Sequence, residues 1–300
     1  MQPTGRTEES GQGQEAMFDA PDAPAAGALV DVPEIPLPAP LDHHGPAKVV
    51  AMVNQKGGVG KTTSTISLGA ALAEYGRKVL LVDFDPQGAL SDAMGVNANE
   101  LDVTIYNLLV DSDCHVGDVL VTTDVVDVDL IPANIDLSAA EVQLVNEVGR
   151  EHALSRALAP VLPDYDIVLI DCQPSLGLLT VNALAASDYV VIPMQAEYFA
   201  LRGVALLTNT IDKVVARVNP KVSVLGVLVT MYNKGTLHSR EVLERVRSAF
   251  GDKVFQTVIA KTIKFADSVV AHEPITEYAP DSPGAESYRQ LAREVIARMD

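Results

Sequence analysis

The sequence predicts an α/β fold built on one mostly parallel β-sheet with helices on both faces. Three observations carry that expectation. Near-continuous Val/Ile/Leu runs, such as "KVVAM" and "IVLID", recur along the chain, as strands buried on both sides require. Segments of helical length separate these runs, which is the βαβα order of a parallel sheet. With 48% apolar residues, the 300-residue chain can bury a full α/β core in one domain.

The elements follow in order. Residues 1–47 hold 8 of the 18 prolines, many acids and no sustained period, so they read as a disordered acidic, Pro-rich tail. From Lys48 onward, residues 48–300 read as the folded domain. "KVVAMVN" (48–54) is a strand, followed by a glycine loop and a helix over about 61–75. "KVLLVDFD" (78–85) and "VDVDLIPAN" (126–134) are strands, and residues 137–159 are expected as one helix. "YDIVLIDCQPS" (165–175), "DYVVIPM" (188–194) and "VSVLGVLVTMYN" (222–233) are the remaining strands, with a helix near 201–218. "HSREVLERVRSAFG" (238–251) and "GAESYRQLAREVIARM" (284–299) are amphipathic helices.

Charge and composition exclude several classes. The formal charge of −18 argues against indiscriminate nucleic-acid binding by the whole surface. It is uneven, however. Residues 201–300 hold 14 Lys/Arg against 11 Asp/Glu, whereas residues 1–200 hold 8 against 29, so a polyanion would dock on the last third. Few aromatics and no Trp give no stacking platform for single strands. Cys114 and Cys172 have neither metal-ligand spacing nor a disulfide framework, so reduced thiols in the cytosol are expected. No run of 18 apolar residues would span a membrane. The first thirty residues have the order of neither a signal nor a transit peptide.

The chemistry concentrates in "VNQKGGVGKTTST" (53–65). A strand, a glycine loop and a helix in that order form a P-loop NTPase arrangement. Gly57, Gly58 and Gly60 let the backbone of "KGGVGKTT", with Val59 and Thr63, curl around an anion at the helix N-terminus. Lys61 can reach the β- and γ-phosphates of ATP, and the Thr62 hydroxyl can ligate Mg²⁺. The pattern G-x-x-x-x-G-K-[ST] wants glycine at 55, where this chain has Gln55, and Lys56 adds a second cation. Asp171 ends an apolar strand and can hold Mg²⁺ through water, or cap a helix. Asp83 and Asp85 lie two apart at a strand end, where one could orient a water molecule while "DPQG" forms a turn.

With these residues in place, the chain resembles the ParA/Soj family of partitioning ATPases, of the deviant Walker A, MinD/ParA superfamily. The likeness runs through "VNQKGGVGKTTSTISLGAALAEYGRKVLLVDFDPQGALSDAMG", "YDIVLIDCQPSLGLLTVNAL", "PMQAEYFALRGV", "GVLVTMY" and "SPGAESYRQLAREV", over about residues 48–299. The resemblance implies that Lys56 reaches across a homodimer interface to the phosphates of the other subunit. It implies that Lys61 binds phosphate, Thr62 and Asp171 serve Mg²⁺, Asp85 positions the attacking water and Asp83 braces the lysines and lies in the metal site. Asn233 would contact adenine. It also implies an ATP-dependent dimer in the bacterial cytoplasm, associated with the nucleoid, that binds DNA without sequence preference and is released by a ParB-like partner. Lys234, Arg240, Arg245, Arg247, Lys261 and Lys264 are the DNA-binding candidates, although each read singly is an ordinary solvated charge.

The chain departs from its family at the output surface. Gly235 stands where close members carry arginine, "AKTIKFADSVV" replaces P-R-N-V-R-x-x-E-A-P, and Gln173 replaces a proline. One alternative is therefore the same switch moving a protein cargo with little DNA contact; another is a small-molecule ligase or kinase on this fold. A membrane-recruited relative would end in a Lys-rich amphipathic helix, which "EVIARMD" does not resemble. An iron–sulfur carrier would need a paired cysteine, and a bacterial tyrosine kinase a C-terminal tyrosine cluster.

Overall fold

Among the described residues seven strands form one sheet: β1 Lys48–Met52, β2 Val79–Phe84, β3 Val121–Thr122, β4 Val128–Ile131, β5 Ile167–Cys172, β6 Tyr189–Gln195 and β7 Ser223–Thr230. This is a computed structural model, and the described residues are 35–197 and 200–300, with 200–202 known by backbone alone. The strand order is β3-β4-β2-β5-β1-β6-β7, parallel throughout except for the short antiparallel edge pair β3–β4. The α/β class with a mostly parallel sheet is as the sequence predicts.

Two cores sandwich the sheet because successive strand residues face opposite sides. Val79 and Leu81 of β2, with Ile167 and Leu169 of β5, pack under helices Lys61–Glu74 and Pro283–Met299. Leu80, Val82 and Ile170 face the other core, which includes helices Leu178–Ala186 and Leu237–Phe250. The C-terminal helix is pinned to the first by a buried bond between the Tyr288 hydroxyl and Ser64 Oγ (3.0 Å). A fork of Arg289 onto both oxygens of Glu74 (2.6 and 2.9 Å) adds to it. Strand β1 lies between β5 and β6, so the chain moves away from it in one direction to β2 and β4 and in the other to β6 and β7. The crevice at such a reversal, at the carboxyl ends of the strands, is where ligands bind in open α/β sheets.

One expectation fails. The helix predicted over 137–159 is broken into Leu137–Gln143 and Ala153–Leu158, with short 3₁₀ turns between. The chain turns extended at Glu147 (φ −80°, ψ 137°), and Gly149 follows with a φ of +68° that no regular helix accommodates. The break is held open by Arg156 Nη1 donating to the Gly149 carbonyl (2.9 Å) and by Asn182 Nδ2 donating to the Arg150 carbonyl (2.9 Å). Of the predicted tail, residues 1–34 lie outside the described residues. Its last part packs on the domain: Arg77 Nη2 donates to Ala39 O (3.1 Å), and Asp166 accepts from Gly45 N (2.9 Å) and pairs with His44 Nδ1 (2.7 Å).

Candidate functional site

The loop after β1 lies at the reversal point, and its backbone explains its glycines. Gly58 and Gly60 have φ of +68° and +84°, a region L side chains rarely enter, and a Cβ at Gly57 or Gly58 would meet no protein atom within 4 Å. Helix Lys61–Glu74 begins at Gly60, and Ser64 N is the first to reach a carbonyl, that of Gly60 (3.0 Å). The N–H groups ahead of it, from Lys61 to Thr63, are left for an anion, and the helix dipole favours one there. Two outer strands brace the loop. Thr230 Oγ1 at the end of β7 donates to Val59 O (2.8 Å), and Gln195 Nε2 at the end of β6 donates to Gly58 O (2.8 Å).

The two lysines are held differently. Lys61 is buried to 7% exposure and its ammonium donates to the Lys56 carbonyl (3.4 Å), among the loop's own atoms. Lys56 is half-exposed, and its ammonium donates to Gln195 Oε1 (2.7 Å) and Glu197 Oε2 (2.6 Å). Its backbone N–H is fixed by Asn54 Oδ1 (2.9 Å), and Asn54 Nδ2 is tied to Pro193 O (2.7 Å).

Three carboxylates stand beside the loop. Asp83 and Asp171 are at the same level of adjacent strands, and both are buried. Thr62 Oγ1 donates to Asp171 Oδ2 (2.6 Å), while Asp171 Oδ1 is buried with no hydrogen-bond partner. Burial, then the neighbouring Asp83, pushes the Asp171 carboxyl up to about 8, against the pull of Thr62 and Lys61. A buried carboxylate oxygen without a donor is costly, and a cation is the usual remedy. The donor set, one hydroxyl and one carboxylate, suits a Mg²⁺ that keeps waters and binds phosphates. Among the described residues no cluster of three or more His, Cys, Asp or Glu could hold a metal ion.

Asp83 is held by its own strand end: Oδ2 accepts from Ser91 N (2.9 Å) and Ser91 Oγ (2.7 Å), and Oδ1 accepts from Asp85 N (3.3 Å). Its carboxyl is raised to about 7, chiefly by burial. Asp85 begins the turn the sequence predicts, accepting from Gln87 N through Oδ1 (3.0 Å) and from Gly88 N through its carbonyl (2.9 Å).

The remaining candidates lie on the rim. Asn233 Oδ1 accepts from Gly235 N (3.0 Å) in the turn leading to helix Leu237–Phe250. Lys234, Arg240, Arg245, Arg247, Lys261 and Lys264 are all exposed. Lys261 N donates to Tyr232 O (3.0 Å), which brings the segment bearing Lys261 and Lys264 beside the chain that leaves β7 toward Lys234. Arg240, Glu244 and Arg247 share a helix face, so a carboxylate sits between those two arginines. Gln173 Nε2 donates to Glu141 Oε1 (3.1 Å), joining the strand end after Asp171 to helix Leu137–Gln143. Sequence reasoning missed Gln195, Glu197, Thr230 and Ser91. The first two lie within "PMQAEYFALRGV", which served only as a mark of resemblance.

A family model described as "AAA domain" matches residues 47–224. The chain is 61% identical, over 94% of its length and 89% of the relative's, to an uncharacterised protein of Mycobacterium tuberculosis. It is 49% identical, over 84% of its length and 98% of the relative's, to the chromosome-partitioning ATPase Soj of Treponema pallidum. A solved structure named cobyrinic acid a,c-diamide synthase, from Mycobacterium smegmatis with bound ATP analogue and magnesium, is similar at 43% identity. It covers 82% of this chain and 93% of its own, with a TM-score of 0.73. The chain belongs to the ParA/Soj family of ATPases.

Proposed function

We propose that residues 48–300 form a Mg²⁺/ATP-dependent sandwich-dimerisation switch, which binds DNA non-specifically for chromosome or plasmid segregation. The observation that carries this reading is the division of labour between the lysines. Lys61 is buried within its own loop, whereas the Lys56 side chain stands half-exposed and reaches away toward β6. A cation placed so is suited to the nucleotide of a second copy, as an arginine finger supplied in trans is.

In this reading the N–H groups from Gly58 to Thr63 cradle the phosphates, and Lys61 exchanges the Lys56 carbonyl for a phosphate oxygen. Thr62 and Asp171 hold Mg²⁺, which when bound neutralises charge on the phosphates. Asp85 orients the attacking water, and Asn233 lies at the base. Asp83 fixes the strand end through Ser91, beside Asp171. A ParB-like partner stimulates hydrolysis and releases the dimer in the bacterial cytoplasm, at the nucleoid. Among the described residues no helix is long and apolar enough to cross a membrane.

The test is ATP-dependent co-sedimentation of wild type and Lys61→Ala with duplex DNA of arbitrary sequence. Wild type should pellet only with ATP, and the variant not at all. Binding that ignores nucleotide overturns the switch, while an ATP-dependent dimer that leaves DNA in solution favours a protein cargo. A second reading, ATP-dependent amidation of a small acid, is favoured by the name of the M. smegmatis structure. Phosphate release that requires an ammonia donor and a carboxylic-acid acceptor would support it.

A further inference from the structure

We infer that Gln195 and Glu197 form a latch that holds Lys56 within its own protomer and opposes dimerisation until nucleotide displaces them. The inference rests on the proposed trans role of Lys56 and adds its regulation.

The geometry is specific. An ammonium has three donors, and two of those on Lys56 are taken, by the Gln195 amide oxygen at 2.7 Å and the Glu197 carboxylate at 2.6 Å. The same Gln195 amide donates through Nε2 to Gly58 O, so the latch and the phosphate loop share a residue. The Lys56 backbone is anchored independently, through Asn54 to Pro193. Only the side chain must therefore swing for the cation to leave. Glu197 is itself more than half-exposed, so it reaches Lys56 without being buried by the fold. Among the described residues Lys61 makes no ion pair within 4 Å, whereas Lys56 must first lose one.

An exposed pair of this kind is worth a factor of about 1.4–5 in an equilibrium constant. Each protomer opens its own latch, so the factor enters twice, and removing it should tighten the dimer by about 2- to 30-fold. Full-length wild type, Glu197→Gln and Lys56→Ala would be compared by sedimentation equilibrium with Mg²⁺ and a non-hydrolysable ATP analogue. The glutamine keeps the shape and removes the charge. Glu197→Gln should dimerise more tightly by that factor, with the advantage shrinking as salt rises. Equal or weaker pairing overturns the latch and leaves the switch standing, provided wild type pairs and Lys56→Ala does not. A wild type that stays monomeric with the analogue, or a Lys56→Ala that pairs as wild type does, overturns the switch and the latch with it.

Discussion

Asp83 and Asp171 face each other in register on neighbouring strands, yet their surroundings give them different tasks. Ser91 supplies two donors to Asp83, and the Ser91 hydroxyl also accepts from Ala133 N (3.0 Å), so one side chain joins β2 to the segment after β4. Asp171 keeps an oxygen without a donor. A Ser91→Ala variant should therefore lose about 1.5–3 kcal/mol of stability, the cost of removing a buried bond to a charged group, read by urea unfolding. Lys61→Ala removes a different thing. Its ammonium makes a long contact to a carbonyl and a charge interaction with Asp171, so folding should lose little beyond that pull. ATP affinity should fall by about 10- to 150-fold, measured by calorimetry, if one charge-assisted phosphate contact is lost. The loop was legible because glycine spacing and the lysine are local in sequence. Gln195 was not, because it meets Lys56 from 139 residues away and only the β1–β6 pairing brings them together.

At the scale of elements, the strands were legible because burial on both faces leaves an unbroken apolar run. Elements without that property escaped. The two-residue antiparallel β3 is too short to show a pattern. Helix Leu178–Ala186, "LLTVNALAA", is apolar nearly all round and so lacks the 3.6-residue period of an amphipathic helix. The segment before β1 is anchored in part by the carboxylate of Asp166, which accepts from Lys78 N (2.7 Å) and Gly45 N and pairs with His44. Burial alone would raise that carboxyl, but the N–H donors of Lys78 and Gly45, with His44, outweigh it and hold it below the ordinary value. A carboxyl lowered in the folded state adds stability above its unfolded value near ~3.9, and loses it as pH falls through that value toward the folded one. Asp166→Asn should cost about 1–3 kcal/mol at pH 7, and its gap from wild type in urea unfolding should narrow at pH 3. A gap that does not change with pH would assign the loss to packing.

At the scale of the whole molecule, the charge is arranged against DNA everywhere except in the last third, where 14 Lys/Arg stand against 11 Asp/Glu. The fold sorts all of the candidates there but Arg245 into two groups. Arg240 and Arg247 flank Glu244 on one helix face, which blunts them, whereas Lys234, Lys261 and Lys264 gather near the exit of β7. If those three lysines are the contacts, a monomer offers about three cations to a polyanion, and a dimer doubles that to about six. Counterion release makes the difference steep: log affinity falls with log salt at about −0.9 per neutralised phosphate, or about −5 for the dimer. Binding should weaken by about 10³ between 50 and 200 mM salt, and the proposed dimer would in this way couple DNA affinity to nucleotide state without any change at the basic surface itself. Lys264→Ala removes one cation from each protomer, so the slope should flatten by about 2 while ATP-dependent dimerisation is retained. Fluorescence anisotropy of a labelled duplex across a salt series measures both slopes. An unchanged slope in Lys264→Ala would move the DNA surface away from this lysine group, and a salt-independent affinity would remove the electrostatic basis for DNA binding altogether.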